Sequence, residues 1–106
     1  MKIYIKPLSI NQAFKGRKYK TNRYKSYEIE VNNLLKKLKV GDGKLSVKLV
    51  FGFSNTASDI DNPVKCFIDI CQKRYGFNDK MIYKLDVEKV DVKKGKEYID
   101  FEINEL

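Results

Sequence analysis

The 106 residues carry 22 Lys+Arg against 14 Asp+Glu, a formal charge of +8, with 42% hydrophobic residues, two Cys and no His. A chain of this size buries roughly two-thirds of its unfolded surface, enough for one modest core, and holds no apolar run near the ~18 residues of a membrane span. Without histidine, a Ser-His-Asp triad, a Cys-His pair and an imidazole-held zinc are excluded, which leaves carboxylates, Lys, Tyr, Cys or a metal on oxygen ligands. Residues 1 to 7 lack the apolar stretch of a secretory signal, so a cytoplasmic protein is expected.

Residues 1 to 6 alternate, with Met1, Ile3 and Ile5 on one side and Lys2, Tyr4 and Lys6 on the other, the period of a half-buried strand that Pro7 closes. A basic loop follows. Tyr24, Tyr27, Val31, Leu34, Leu35 and Leu38 then recur at spacings of three and four, which predicts an amphipathic helix over residues 21 to 39 with Thr21 at its N-cap and Gly41-Asp42-Gly43 past its end. Leu45, Val47, Leu49, Phe51 and Phe53 mark one face of a strand over residues 44 to 53, which leads into a polar loop at 54 to 61. Asn62 as cap and Pro63 at the first helical position predict a second helix, with Val64, Phe67, Ile68, Cys71 and Tyr75 as its apolar stripe and Gly76 as its stop. Residues 82 to 91 and 97 to 104 read as strands joined by a turn at 93 to 96. The order β-α-β-α-β-β predicts one α+β domain over residues 1 to 106, two helices against a mixed sheet of about four strands.

Residues 1 to 50 hold 13 Lys+Arg and 3 Asp+Glu, a balance of +10, whereas residues 51 to 106 hold 9 and 11, a balance of −2. The surplus peaks at Lys15, Arg17, Lys18, Lys20, Arg23 and Lys25, with Tyr19 and Tyr24 between them and no acid. Such a run offers phosphate-binding charge interleaved with aromatic rings, and nucleic acid is the leading partner. The same run also fits a solvated loop whose charges only confer solubility.

The acids that carry chemistry lie in the second half. Asp59 and Asp61 stand two apart, where an extended backbone would aim both carboxylates the same way, and Asn62 follows. Lys65 lies four residues after Asp61, Asp69 four after Lys65, and Asp79 just past Gly76. A helix of about thirteen residues is roughly 20 Å long, so Asp79 joins this group only if the chain after Gly76 runs back along the sheet. Three hard carboxylates beside a lysine suit phosphodiester chemistry: Mg²⁺ or Mn²⁺ prefers such ligands and makes a water nucleophilic near neutral pH, while Lys65 would offset charge on the phosphoryl group. An Asp-x-Asp pair by itself more often caps a turn, so a non-catalytic basic nucleic-acid-binding module is the alternative, and an accessory protein working only through protein contacts is a third.

Two motifs fail on inspection. A calcium loop starting at Asp59 would need Gly at Val64 and Glu at Ile70, and the run Lys48-Leu49-Val50-Phe51-Gly52-Phe53 has Leu49 where an RNA-recognition strand has glycine. Cys66 and Cys71, five apart on one helix, suit neither a disulfide nor a zinc knuckle and read as reduced, structural thiols.

The stretch Asp59-Ile60-Asp61-Asn62-Pro63-Val64-Lys65-Cys66-Phe67-Ile68-Asp69, followed by Gly76-Phe77-Asn78-Asp79-Lys80-Met81-Ile82, resembles the signature of the RusA family of Holliday junction resolvases. Leu8-Ser9-Ile10-Asn11-Gln12-Ala13-Phe14 with Gly16-Arg17-Lys18-Tyr19-Lys20-Thr21 resembles the family's opening, so the similarity covers nearly the whole chain. The resemblance implies a RusA-like fold and a homodimeric, Mg²⁺-dependent endonuclease that binds four-way DNA junctions and nicks two strands symmetrically, in DNA recombination and repair. By position it makes Asp59, Asp61 and Asp79 the metal-binding carboxylates and Lys65 the catalytic lysine. Asp69 matches a family position, yet its spacing from Lys65 suits a structural ion pair. Ser58 and Pro63 depart from the family's pattern without removing a functional group. Paired cuts in a two-fold-symmetric junction call for two sites related by a two-fold axis, and two basic halves side by side would favour branched DNA, with Lys15, Arg17, Lys18, Lys20, Arg23 and Lys25 on its phosphates.

Overall fold

The computed structural model describes residues 1–9, 13–15 and 19–106. The chain runs β1 (Lys2–Ile3), β2 (Phe14–Lys15), β3 (Tyr19–Lys20), α1 (Asn22–Leu34), β4 (Leu45–Phe53), α2 (Val64–Tyr75), a 3-10 turn (Asp79–Met81), β5 (Ile82–Asp91) and β6 (Tyr98–Glu105). Four strands form a mixed sheet in the order β1-β6-β4-β5. Strand β6 lies antiparallel to both β1 and β4, whereas β5 runs parallel to β4 with α2 as the crossover. This is the expected α+β architecture.

Alternation along β4 decides which face the helices cover. Leu45, Val47, Leu49, Phe51 and Phe53 are buried and Lys48 is exposed. Tyr24, Tyr27, Val31 and Leu35 from the first helical segment meet Cys66, Phe67, Ile70 and Cys71 of α2 on that apolar face, with Ile99 and Phe101 of β6. Phe67 is the hinge of this packing: its ring lies 5.2 Å from that of Phe101 and edge-on to Phe51 at 6.4 Å. Edge-to-face rings add dispersion and quadrupole attraction to the burial itself.

Three boundaries differ from the sequence reading, each for a local reason. Helix α1 stops at Leu34, short of residue 39, because Leu35 turns extended at ψ 129° and its carbonyl accepts from Arg74 Nη2 at 3.3 Å. The next carbonyl, of Lys36, accepts from the Tyr75 hydroxyl at 2.7 Å. Side chains of α2 thus satisfy groups that another helical turn would have used, and Leu34 and Leu38 are left exposed. Helix α2 begins one residue late: Pro63 is itself the cap, and its carbonyl accepts from Phe67 N–H at 3.3 Å. Only Lys2–Ile3 of the first strand pairs with β6, although Ile5 remains buried. The β2–β3 hairpin, pairing Phe14 with Lys20, has no counterpart in the periodicity, which that short basic segment lacks. Gly76 ends α2 in the left-handed region at φ 71°, a conformation that glycine adopts without strain.

Phe67→Ala should lower unfolding free energy by about 3–5 kcal/mol, since it opens a cavity against two other rings. Leu34→Ala should change it by no more than about 0.5 kcal/mol, because the helix leaves that side chain in solvent. Urea denaturation of the two variants checks both values; a large loss for Leu34→Ala would mean that α1 continues as the periodicity implies.

Candidate active site

The loop after β4 is tied to the sheet by two polar anchors. Lys89 of β5 donates from Nζ to the Ser58 carbonyl at 2.6 Å and to the Thr56 carbonyl at 3.2 Å, and Ser54 Oγ donates to Glu97 at 2.7 Å. The chain then coils through successive turns, with Asn62 N–H donating to the Asp59 carbonyl at 3.4 Å and Val64 N–H to the Asp61 carbonyl at 3.2 Å. The backbone from 60 to 63 is therefore turned where the sequence reading took it as extended. Asp61 borders the concavity described below; Asp59, also exposed, is not among its walls.

Lys65 sits in the first turn of α2 and reaches two carboxylates. Its Nζ lies 2.9 Å from Asp69 Oδ1 and 3.5 Å from Asp79 Oδ2. The hydrogen bond that Lys65 donates to Asp69 is the main influence holding the ammonium above the ordinary lysine range, with Asp79 adding to it. Asp79 comes back to the helix because Gly76 reverses the chain, after which Asp79 N–H donates to Gln72 Oε1 at 2.8 Å. Asn78 fixes the 3-10 turn by accepting from Lys80 N–H at 3.0 Å. The chain has thus returned about one helical turn, and the long Lys65 side chain spans what remains.

An open groove of about 640 Å³ runs between α2 and β5. Asp61, Lys65 and Asp79 border it, Val64 and Ile68 form the helical wall, and Tyr83, Leu85 and Val87 the strand wall. The chain brings its acids to this groove from opposite ends of the sheet, for a topological reason. Asp61 follows the end of β4 that pairs Phe53 with Asp91, whereas Asp79 precedes the end of β5 that pairs with Leu45. Among the described residues no three Asp, Glu, Cys or His side chains stand close enough to hold a metal ion. Asp59, Asp61 and Asp79 are therefore not gathered as three close carboxylates within one chain.

The basic segment is only partly described. Arg17 and Lys18 lie outside the described residues, as do Ile10, Asn11, Gln12 and Gly16, and Lys15 is placed only as a member of β2. Lys20 Nζ lies 3.5 Å from Glu28 and over the Tyr24 ring at 4.9 Å. Lys73 of α2 shares the same Glu28 carboxylate at 3.5 Å and pushes the Lys20 ammonium down. Arg23 and Lys25 project into solvent from α1. Tyr24, read in the sequence as an aromatic among the basic residues, is 1% exposed and belongs to the core.

Sequence reasoning missed the residues that shape the site without reacting. Lys89 and Gln72 act through long-range polar contacts that leave no local pattern. The groove wall did leave one, the alternation of Tyr83, Leu85 and Val87, which reads equally well as core. Cys66 and Cys71 are free and buried, and burial pushes their thiols up to about 11 and about 12, which makes them poor nucleophiles.

No described helix is long and apolar enough to cross a membrane. No curated protein matches the sequence. The family model described as endodeoxyribonuclease RusA matches residues 7–102, a span that includes the basic segment, both helices and every acidic position of the groove. On that match over most of its length, the chain belongs to the RusA endodeoxyribonuclease family.

Proposed function

We propose that this protein is a divalent-metal-dependent endonuclease that resolves four-way DNA junctions by paired symmetric nicks, as a homodimer, in DNA recombination and repair. The observation that carries the reading is the gathering of Asp61, Lys65 and Asp79 around one groove, with Lys65 Nζ 3.5 Å from Asp79, in a chain of the RusA family. Asp59, Asp61 and Asp79 are the acidic members of the site. They would supply hard oxygen ligands to Mg²⁺, with Mn²⁺ as substitute, and such an ion when bound would polarise phosphate and lower the pKa of water.

Lys65 acts as a fixed cation. Bonded to Asp69, it keeps its proton well beyond neutral pH, so it opposes the negative charge that grows on the phosphoryl group and does not serve as a proton donor. Asp69 positions Lys65. The exposed Arg23 and Lys25, with Lys15, Arg17, Lys18 and Lys20, hold phosphates of the junction arms.

A synthetic four-way junction should be nicked with Mg²⁺ or Mn²⁺ and left intact with chelator, and Asp61→Asn, Asp59→Asn and Asp79→Asn should each abolish nicking while junction binding persists. Junction binding without metal-dependent nicking would establish the non-catalytic module instead, and no binding at all would favour a protein-contact role.

Lys65→Met should lower kcat about 10²- to 10³-fold, the usual effect of deleting one charge-stabilising group, whereas Lys65→Arg should keep most of the rate. Because the Lys65 pKa is raised, its charge is present throughout pH 7 to 10 and the rate should show no alkaline limb from it there. An alkaline limb that vanishes in Lys65→Arg would make Lys65 a proton donor.

Replacing Lys18, Arg23 and Lys25 together with Ala should weaken junction binding and reduce the log–log salt slope by about 2 to 3. Filter binding between 50 and 300 mM salt measures it, and an unchanged slope removes these residues from the interface.

A further inference from the structure

Away from the groove, three elements bring three charged side chains to one point. Lys20 of β3 and Lys73 of α2 both reach the carboxylate of Glu28 on α1, each ammonium 3.5 Å from the same oxygen, Oε2. Charge-assisted bonds of this kind usually close to about 2.7–2.9 Å. On the same helix Lys65 does so with Asp69, at 2.9 Å. The Glu28 oxygen is thus shared between two cations and closes fully on neither, and the neighbouring Lys73 ammonium pushes that of Lys20 down. The trio carries a surplus of one positive charge, and its Lys73 side chain is 62% exposed. We propose that Glu28 holds the place of a DNA backbone phosphate between Lys20 and Lys73, and that Lys73 is a DNA contact that carries the binding surface from the basic hairpin onto α2.

The geometry suits a phosphate better than it suits a structural ion pair. Among the described residues Glu28 is the only carboxylate paired with either ammonium. A backbone phosphate has two diverging free oxygens, so it gives each ammonium its own acceptor, which the single Glu28 oxygen does not. Exposed pairs at this distance add little to stability, so a tie between α1 and α2 gives a weak reason for two lysines to converge. Lys20 is also held ready before any ligand arrives, its Nζ 4.9 Å over the ring of the buried Tyr24.

The position of Lys73 relates this point to the groove. Lys65, Asp69 and Lys73 recur at intervals of four, which places them in one row along α2. Eight residues at 1.5 Å set Lys73 about 12 Å along the helix axis from Lys65. That is the span of about three to four nucleotides, at ~3.4 Å each along one strand of a duplex. A strand with a phosphate at Lys65 therefore meets Lys73 a few nucleotides on, and the basic hairpin beyond it through Lys20. Glu28 then acts as an internal competitor that DNA must displace, so removing its charge strengthens binding. A purely structural role has the opposite sign, because loss of Glu28 would release the hairpin from the helices. The inference rests on the DNA partner of the reading given above and does not require the nicking step.

Fluorescence anisotropy of a labelled four-way junction, in chelator and across a salt series, tests this without nicking. Lys73→Gln should weaken binding about three- to tenfold and lower the log–log salt slope by about 0.9, and Lys73→Arg should keep both near the wild-type values. Glu28→Gln should tighten binding about three- to tenfold, whereas Glu30→Gln, which removes the same charge from another exposed position of α1, should change it less than about twofold. In the Lys73→Gln background the gain from Glu28→Gln should shrink about twofold or more, since the two residues act on one phosphate. Unchanged binding by Lys73→Gln, or equal gains from Glu28→Gln and Glu30→Gln, overturns the inference. A Glu28→Gln protein that binds no tighter overturns it too, and an early thermal midpoint in that protein would mark the trio as a structural tie. A wild type that shows the expected binding pattern but does not nick with Mg²⁺ upholds the inference and overturns the nuclease reading. A wild type with no affinity for the junction overturns both.

Discussion

Strand β5 runs parallel to β4 from Leu45 beside Ile82 to Phe53 beside Asp91, and this pairing dictates where the chemistry stands. A parallel neighbour cannot be reached by a tight turn; the chain must travel back along the sheet, and α2 makes that return. The loop with Asp59 and Asp61 therefore leaves one end of the sheet, and Asp79 enters at the other. The groove between α2 and β5 is the space left because one helix does not cover the outermost strand.

Within that groove a small number of polar contacts set the geometry. Gln72 catches the backbone of Asp79, Asn78 stabilises the turn that carries it, and Lys65 bridges Asp69 and Asp79. The bridge is solvent-accessible, with the Lys65 side chain 56% exposed, so its worth lies in orientation more than in stability. Lys89 serves the other end by holding two loop carbonyls. Side chains from both flanks of the groove thus fix its acidic positions, and α2, through Lys65, links them.

The face of the sheet turned to the helices changes character along its width. Over β4 and β6 it is fully apolar and covered, centred on the contacts of Phe67 with Phe51 and Phe101. Over β5 the same alternation continues through Leu85, which is exposed, and Val87, which is half-buried at the margin of the core. A single period-2 pattern thereby yields core on one strand and an exposed wall on the next, depending only on how far the helix layer extends.

Much of the fold was legible in residues 44 to 104, where strand alternation, helical stripe and the stop at Gly76 agree with one another. The motif residues Asp59, Asp61, Lys65, Asp69 and Asp79 were legible too, because reactive groups at fixed spacing survive as text. Helix α1 was read too long: Leu34 and Leu38 extend the stripe, but Arg74 and Tyr75 capture the carbonyls of Leu35 and Lys36, and a capture between distant residues has no local signature. By itself the sequence determined the main strands and helices and the charge division, which follow from local periodicity and composition, and it pointed to the family through the spacing of its motif residues. Only the tertiary structure decided that Asp61 and Asp79, arriving from opposite ends of the sheet, border one groove and that β5 is an edge among the described residues. Both follow from strand order, and strand order comes from pairing between residues far apart in the chain.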